Sequence, residues 1–160
     1  MPIVLHRVDE RLLHGQVVLG WGAELEPDRY LIVDDAVADA PWEQELYEVG
    51  LPDGVSAEFH SLDAARALYP EWSRAPSRSV LLTRLPSTMR ALGAGGLLRG
   101  VPVNVGGIHH AGAREMVLPY VFLGPRERED LRALAEAGAV VTARDVPSAR
   151  AISLERLLYG

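Results

Sequence analysis

The chain contains no cysteine, which excludes disulfides, thiolate catalysis and cysteine-ligated zinc. It also contains no lysine: all 16 of its basic residues are arginine. That absence excludes Walker-type phosphate loops and Schiff-base chemistry. The chain has no basic excess either; its formal net charge of −6 argues against general nucleic-acid binding. No apolar run approaches the roughly 18 residues of a membrane span. The N-terminus lacks the basic region and uninterrupted apolar stretch of a signal peptide, so a cytoplasmic protein is expected. The arginine bias runs through the whole chain beside abundant alanine, glycine, proline and leucine. It reads as genome composition rather than as a phosphate-recognition signal.

What is present is an ordinary globular composition, with 160 residues, 48% hydrophobic and 24% charged. That length predicts one domain, large enough to bury a core without staples. Short apolar runs predict strands over 3–6, 30–33, 56–59, 79–83, 102–105, 120–123 and 140–144. Helical patterns fill the gaps, over 16–24, 40–49, 62–68, 87–94, 125–137 and 154–159. Ser61 is placed to cap the helix beginning at Leu62, Pro125 suits a first helical position, and Gly138 follows the same helix as a terminator. The Pro/Ser/Arg-rich stretch 70–78 reads as a surface connection. Near-continuous apolar strands alternating with helices predict an open, mostly parallel α/β sheet of about seven strands, flanked by helices in three layers. Ligands in such folds bind beyond the carboxyl ends of the strands.

The first strand is followed by Arg7-Val8-Asp9-Glu10-Arg11-Leu12-Leu13-His14-Gly15-Gln16-Val17. Neutral imidazole is a nucleophile near neutral pH, its unperturbed pKa being about 6.5. Guanidinium binds oxyanions through paired donors, and a helix N-terminus adds free backbone N–H groups. His14 is thus a candidate phosphoryl acceptor, with Arg11 in reach, Arg7 as a second guanidinium and Gly15 letting the backbone approach an anion. Asp9 is a candidate for orienting Arg11 or the imidazole. Spacing alone leaves this reading level with a structural, hydrogen-bonded histidine.

Other strand ends offer weaker candidates. Asp34 and Asp35 either cap the next helix or hold Arg7 or Arg11 in place; with no third ligand spaced to help, a metal site is rejected. Thr83 is a candidate for lining the site. Gly106 and Gly107 suit a phosphate rim, an interface or a plain tight turn. His109 and His110 read as loop residues rather than zinc ligands. His6 reads as a satisfied core or edge residue.

The segment from Arg7 to Val17 resembles the signature of the IIB component of the mannose/fructose/sorbose class of bacterial sugar phosphotransferase systems. The similarity continues through Val33-Asp34-Asp35-Ala36-Val37-Ala38, Val103-Asn104-Val105-Gly106-Gly107-Ile108-His109 and Arg144-Asp145-Val146-Pro147-Ser148. The resemblance implies that residues 1–160 form one IIB domain with a seven-stranded, mostly parallel sheet. It implies that His14 accepts phosphate, through Nδ1, from a phosphohistidine on a IIA component. The group then passes to a sugar held by the membrane components IIC and IID, so that the chain is a protein-phosphohistidine–sugar phosphotransferase subunit. Arg11 would stabilise the transferring group with Arg7 in support, and Gln16 belongs to the same signature. Phosphohistidine is a reactive donor, so no metal, nucleotide or other cofactor is expected. A separate IIA donor, peripheral attachment to the membrane through IIC and IID, and a homodimer are further expectations.

A regulatory module, in which phosphorylation of His14 switches binding to a partner, is the alternative. A third reading is an unphosphorylated domain that binds a small anion at the first helix.

Overall fold

The computed structural model describes residues 2–160. In chain order, strand β1 (Ile3–Val8) leads into a π-helical turn (Gln16–Trp21), α1 (Gly22–Leu25), β2 (Arg29–Val33), α2 (Asp35–Ala38) and α3 (Pro41–Val49). Then follow β3 (Ser56–His60), α4 (Leu62–Trp72), β4 (Ser79–Thr83), α5 (Pro86–Leu92) and β5 (Pro102–Val105). The chain ends with β6 (Glu115–Leu118), β7 (Val121–Leu123), α6 (Pro125–Glu136), β8 (Val140–Ala143), β9 (Ile152–Ser153) and α7 (Leu154–Tyr159).

Seven strands form one sheet in the order β3-β2-β4-β1-β5-β8-β9, parallel throughout except for β9, which runs antiparallel to β8. The central strands are buried on both faces, which is why they read as unbroken apolar runs; all of β4 and four of five residues of β2 are buried. One face is covered by α4, α5, α6 and α7, through residues such as Tyr69, Met89, Leu131 and Leu157. The other carries the π-helical turn, α1, α2 and α3, with Leu12, Leu13, Val17 and Val37 against Tyr30, Ile32, Val80 and Leu82.

The expected helix starts have their physical causes in place. The Ser61 hydroxyl accepts from the Ala64 N–H at 3.2 Å, and Pro125 occupies the first turn of α6. Gly138 closes α6 at φ +109°, a conformation that residues with a Cβ rarely adopt. Three expectations are corrected. The run at 120–123 does not join the main sheet: β7 pairs with β6 in a separate antiparallel hairpin, and the seventh strand is the two-residue β9. Helix α4 continues through Pro70 to Trp72, because Tyr69 and Trp72 bury their rings in the core. The helix expected over 40–49 is preceded by a separate turn of helix, α2, nucleated by Asp34.

At the carboxyl end of β1 the connections diverge. The chain leaving β1 crosses one face, while those leaving its neighbours β4 and β5 enter α5 and α6 on the other. This is the topological switch point at which α/β sheets bind ligands, and it holds His14.

Candidate functional site

The His14 loop is pinned to both flanking strands. The Asp9 N–H donates to the Thr83 carbonyl at 2.9 Å and the Glu10 N–H to the Gly107 carbonyl at 2.8 Å. A turn closed by the Leu12 N–H to the Asp9 carbonyl (3.0 Å) then reverses the chain. Leu12 lies at φ +53°, which costs a non-glycine residue about 1–2 kcal/mol. Burial of the Leu12 and Leu13 side chains offsets that strain, while Arg11 on the same turn stays exposed. The His14 carbonyl accepts from the N–H groups of Val17 and Val18, so the imidazole stands at the start of the helical segment.

Beneath the imidazole lies a buried ionic network. His14 Nε2 is 2.9 Å from Asp9 Oδ2, and the Asp9 side chain is wholly buried. An ionised carboxylate can only accept, so Nε2–H donates to Asp9, and in the neutral imidazole the lone pair is on Nδ1. Asp9 also accepts from Arg7 Nε and Nη2 at 3.2 and 3.1 Å and from the Arg11 N–H at 3.0 Å. Burial pushes the Asp9 carboxyl up, but the His14 hydrogen bond and the charge of Arg7 outweigh it and hold the group below its ordinary value.

Arg7 is also fully buried. Its remaining donors reach Asn104 Oδ1, the Arg144 carbonyl (2.8 Å) and the Asp145 carbonyl (3.1 Å). With Asp9, these partners engage all five guanidinium N–H groups. Burial pushes Arg7 down from its usual value while the adjacent Asp9 opposes the shift, and the side chain remains a cation. The expectation that Arg7 offers a second guanidinium to an anion is therefore corrected: it holds Asp9, which holds His14.

The other candidates separate by position. Arg11 is exposed and reaches Gln16 Oε1 at 3.5 Å; Gly15 has open space where a Cβ would stand. Asp34 caps α2 by accepting from the Val37 N–H at 3.0 Å, and Asp35 accepts from the Leu62 N–H at 2.8 Å, at the start of α4. Neither carboxylate meets Arg7 or Arg11, so a supporting role for them at His14 does not fit their placement. Thr83 is buried; its carbonyl holds the Asp9 N–H of the His14 loop, and its hydroxyl donates to the Leu85 carbonyl at 3.0 Å. Gly106 and Gly107 lie against the buried ionic network, the Gly106 N–H donating to the Val8 carbonyl at 2.8 Å. A Cβ on Gly106 would collide with the Arg7 guanidinium, and one on Gly107 would stand 3.5 Å from Asp9 Oδ1. Gly106 is a glycine because the Arg7 guanidinium packs against its backbone, whereas a Cβ on Gly107 would make only ordinary contacts.

Several participants carried no role in the sequence reading. Asn104 interrupts the apolar run of β5, and its alternation with valine is a signal that a buried polar partner exists; that partner is Arg7. The Trp21 ring lies 5.3 Å from the Arg7 guanidinium carbon, and its indole N–H donates to the Asp145 carbonyl at 3.0 Å. Glu10 accepts from Arg114 at 3.1 and 3.2 Å and from the His109 N–H, tying the loop after β5 to the His14 loop. Nothing in the linear spacing marks these long-range pairs. Among the described residues, no cluster of three or more potential metal ligands occurs.

A histidine at a sheet switch point, with an exposed arginine on the same loop, is a constellation for group transfer. The family model for the sorbose subfamily IIB component of the phosphotransferase system (PTS) matches residues 3–159. The chain belongs to this IIB family. It is 32% identical to the N-acetylgalactosamine-specific phosphotransferase enzyme IIB component 2 of Escherichia coli K12, over 99% of this chain and 100% of that one. It is likewise 32% identical to the mannose-specific EIIAB component of the same organism, over 91% of this chain and 45% of that protein. The IIB domain of the sorbose permease from Klebsiella pneumoniae superposes with a TM-score of 0.87 at 26% identity, covering 98% of this chain and 96% of that domain. As a IIB component, the chain is a subunit of a sugar phosphotransferase system, a transferase that works with IIA and membrane components.

Proposed function

We propose that His14 is the phosphoryl carrier of this subunit. Its Nδ1 takes the group from a phosphohistidine of the IIA component and delivers it to a hydroxyl of a sugar held by the IIC and IID components. In the first step the donor P–N bond breaks as a P–N bond to His14 Nδ1 forms. In the second that bond breaks as a P–O bond forms, and the hydroxyl proton leaves. The carrying observation is the 2.9 Å contact between His14 Nε2 and buried Asp9, which fixes the tautomer and leaves Nδ1 as nucleophile. Phosphorylation at Nδ1 keeps the Nε2–H bond to Asp9, so the imidazole holds one orientation through both steps. Arg11, exposed on the same loop, stabilises charge on the phosphoryl oxygens as they pass between donor, carrier and acceptor. Among the described residues no helix is long and apolar enough to cross a membrane, and attachment to the membrane runs through IIC and IID.

The test is incubation with the general phosphotransferase proteins and a cognate phospho-IIA, followed by mapping of acid-labile label. His14→Gln is expected to take up no phosphate, and Arg11→Ala to slow uptake or delivery by about 100-fold. Wild-type stoichiometry in His14→Gln, or label on another residue, sinks the assignment.

A further inference from the structure

Helix α3 is amphipathic in the wrong direction for a monomer. Its outward stripe is Trp42, Leu46 and Val49, spaced four and three residues apart and 67%, 66% and 84% exposed. Its inward side carries only one apolar surface, the Tyr47 ring stacked on Phe59, beside polar groups. Gln44 donates to the Val37 and Ala38 carbonyls at 2.9 and 3.2 Å, and Tyr47 takes a hydrogen bond from Arg84 at 3.0 Å. None of its residues is fully buried. A surface helix ordinarily turns its apolar stripe to the core, so this stripe has a partner outside the fold.

The charge around it says what kind. From Asp34 to Glu58 the chain carries eight carboxylates and no arginine, lysine or histidine. Glu43 is paired with Arg84 and Glu58 with Arg29, while Asp39, Glu45, Glu48 and Asp53 are exposed and paired with no cation among the described residues. A second copy meeting this face across a two-fold axis would set the acidic surface against itself. An anionic lipid surface would repel it. The complement is a basic segment with apolar anchors, and cytoplasmic loops of membrane proteins carry an excess of lysine and arginine. Helix α3 also lies on the same side of the sheet as the His14 loop, in one apolar cluster with Leu12, Leu13 and Val17.

We infer that the outer face of α3 is the docking surface for a basic, apolar-anchored cytoplasmic segment of the membrane component that holds the sugar acceptor. This rests on the proposed relay through His14. Trp42 is the central anchor, as buried aromatics are in most interfaces; Leu46 and Val49 extend it, and Glu45 and Glu48 meet the basic side chains.

The test uses the full chain with inverted membrane vesicles that contain the cognate IIC and IID components, and with matched vesicles lacking them. Wild type is expected to sediment with the former only, and less so as salt rises. Trp42→Ala with Leu46→Ser, and separately Glu45→Arg with Glu48→Arg, are expected to weaken that binding about tenfold or more. Both should leave phosphate uptake from phospho-IIA at wild-type rates. These side chains are exposed, so melting temperature checks that the variants fold. Unchanged vesicle binding in both variants overturns the inference. So does a loss confined to the IIA step, which marks the face as the donor's, or a wild-type dimer dissociated by the substitutions. A wild-type chain that takes no phosphate on His14 defeats the relay proposal instead, and the vesicle arms still decide where the chain docks.

Discussion

At the scale of single residues, the site is a charge stack in which each member explains the next. Asn104 and two carbonyls hold Arg7, Arg7 holds Asp9, and Asp9 holds the imidazole of His14. Replacing Asp9 with Asn leaves a buried guanidinium without its counter-charge, which costs about 3–5 kcal/mol. The expected outcome of Asp9→Asn is a lower denaturation midpoint together with loss of the fixed Nε2–H tautomer, read from imidazole ¹⁵N shifts. A variant with wild-type stability and tautomer would show that Asp9 supports neither. Gly106→Ala tests the same stack from the backbone side: the added methyl displaces the Arg7 guanidinium, and a loss of about 2 kcal/mol or more in urea unfolding is expected. His14 and Arg11 were legible in the sequence because their chemistry lies within one short segment. The roles of Arg7 and Gly106 were not, because each is set by a partner about a hundred residues away.

Among the elements, two acidic side chains that looked like site residues are helix caps. Asp34 starts α2 and Asp35 satisfies the first turn of α4, so the pair joins elements rather than binding a ligand. Asp35→Ala is expected to cost about 1 kcal/mol in denaturant unfolding and to leave phosphate uptake by His14 unchanged. A fall in uptake without a fall in stability would return Asp35 to the site. The capping reading was open from sequence, since Asp before a helical run is a common N-cap. What spacing could not show is that Asp35 caps a helix 27 residues further on. The sheet was legible for the converse reason. Strands buried on both faces must be apolar throughout, whereas β9, two residues long, carries no periodicity to detect.

For the whole molecule, burial of one histidine sets a pH dependence. His6 lies in the core, bonded to the Tyr69 hydroxyl at 2.8 Å, and burial pushes its pKa down to about 4. In the unfolded chain the same group takes up its proton near pH 6.5. Between those values the unfolded state binds more protons, so stability is full above about 6.5 and falls as pH drops towards 4, by on the order of 3 kcal/mol. The depressed Asp9 carboxyl acts in the same direction but below that window, since its stabilisation is present above the ordinary carboxylate value and lost as pH falls through its own. His6→Gln keeps a polar partner for Tyr69 and removes the titration, so its melting temperature is expected to stay flat between pH 6.5 and 4.5 where wild type declines. Equal slopes would assign the loss elsewhere. The sequence by itself determined the alternating architecture, the His14 segment and the family resemblance, because periodicity and contiguous motifs are local properties of a chain. Only the tertiary structure decided which nitrogen of His14 meets Asp9, that Arg7 is a strut rather than a ligand, and that the apolar face of α3 points outwards. Burial and long-range pairing settle those, and they exist only once the strands are side by side.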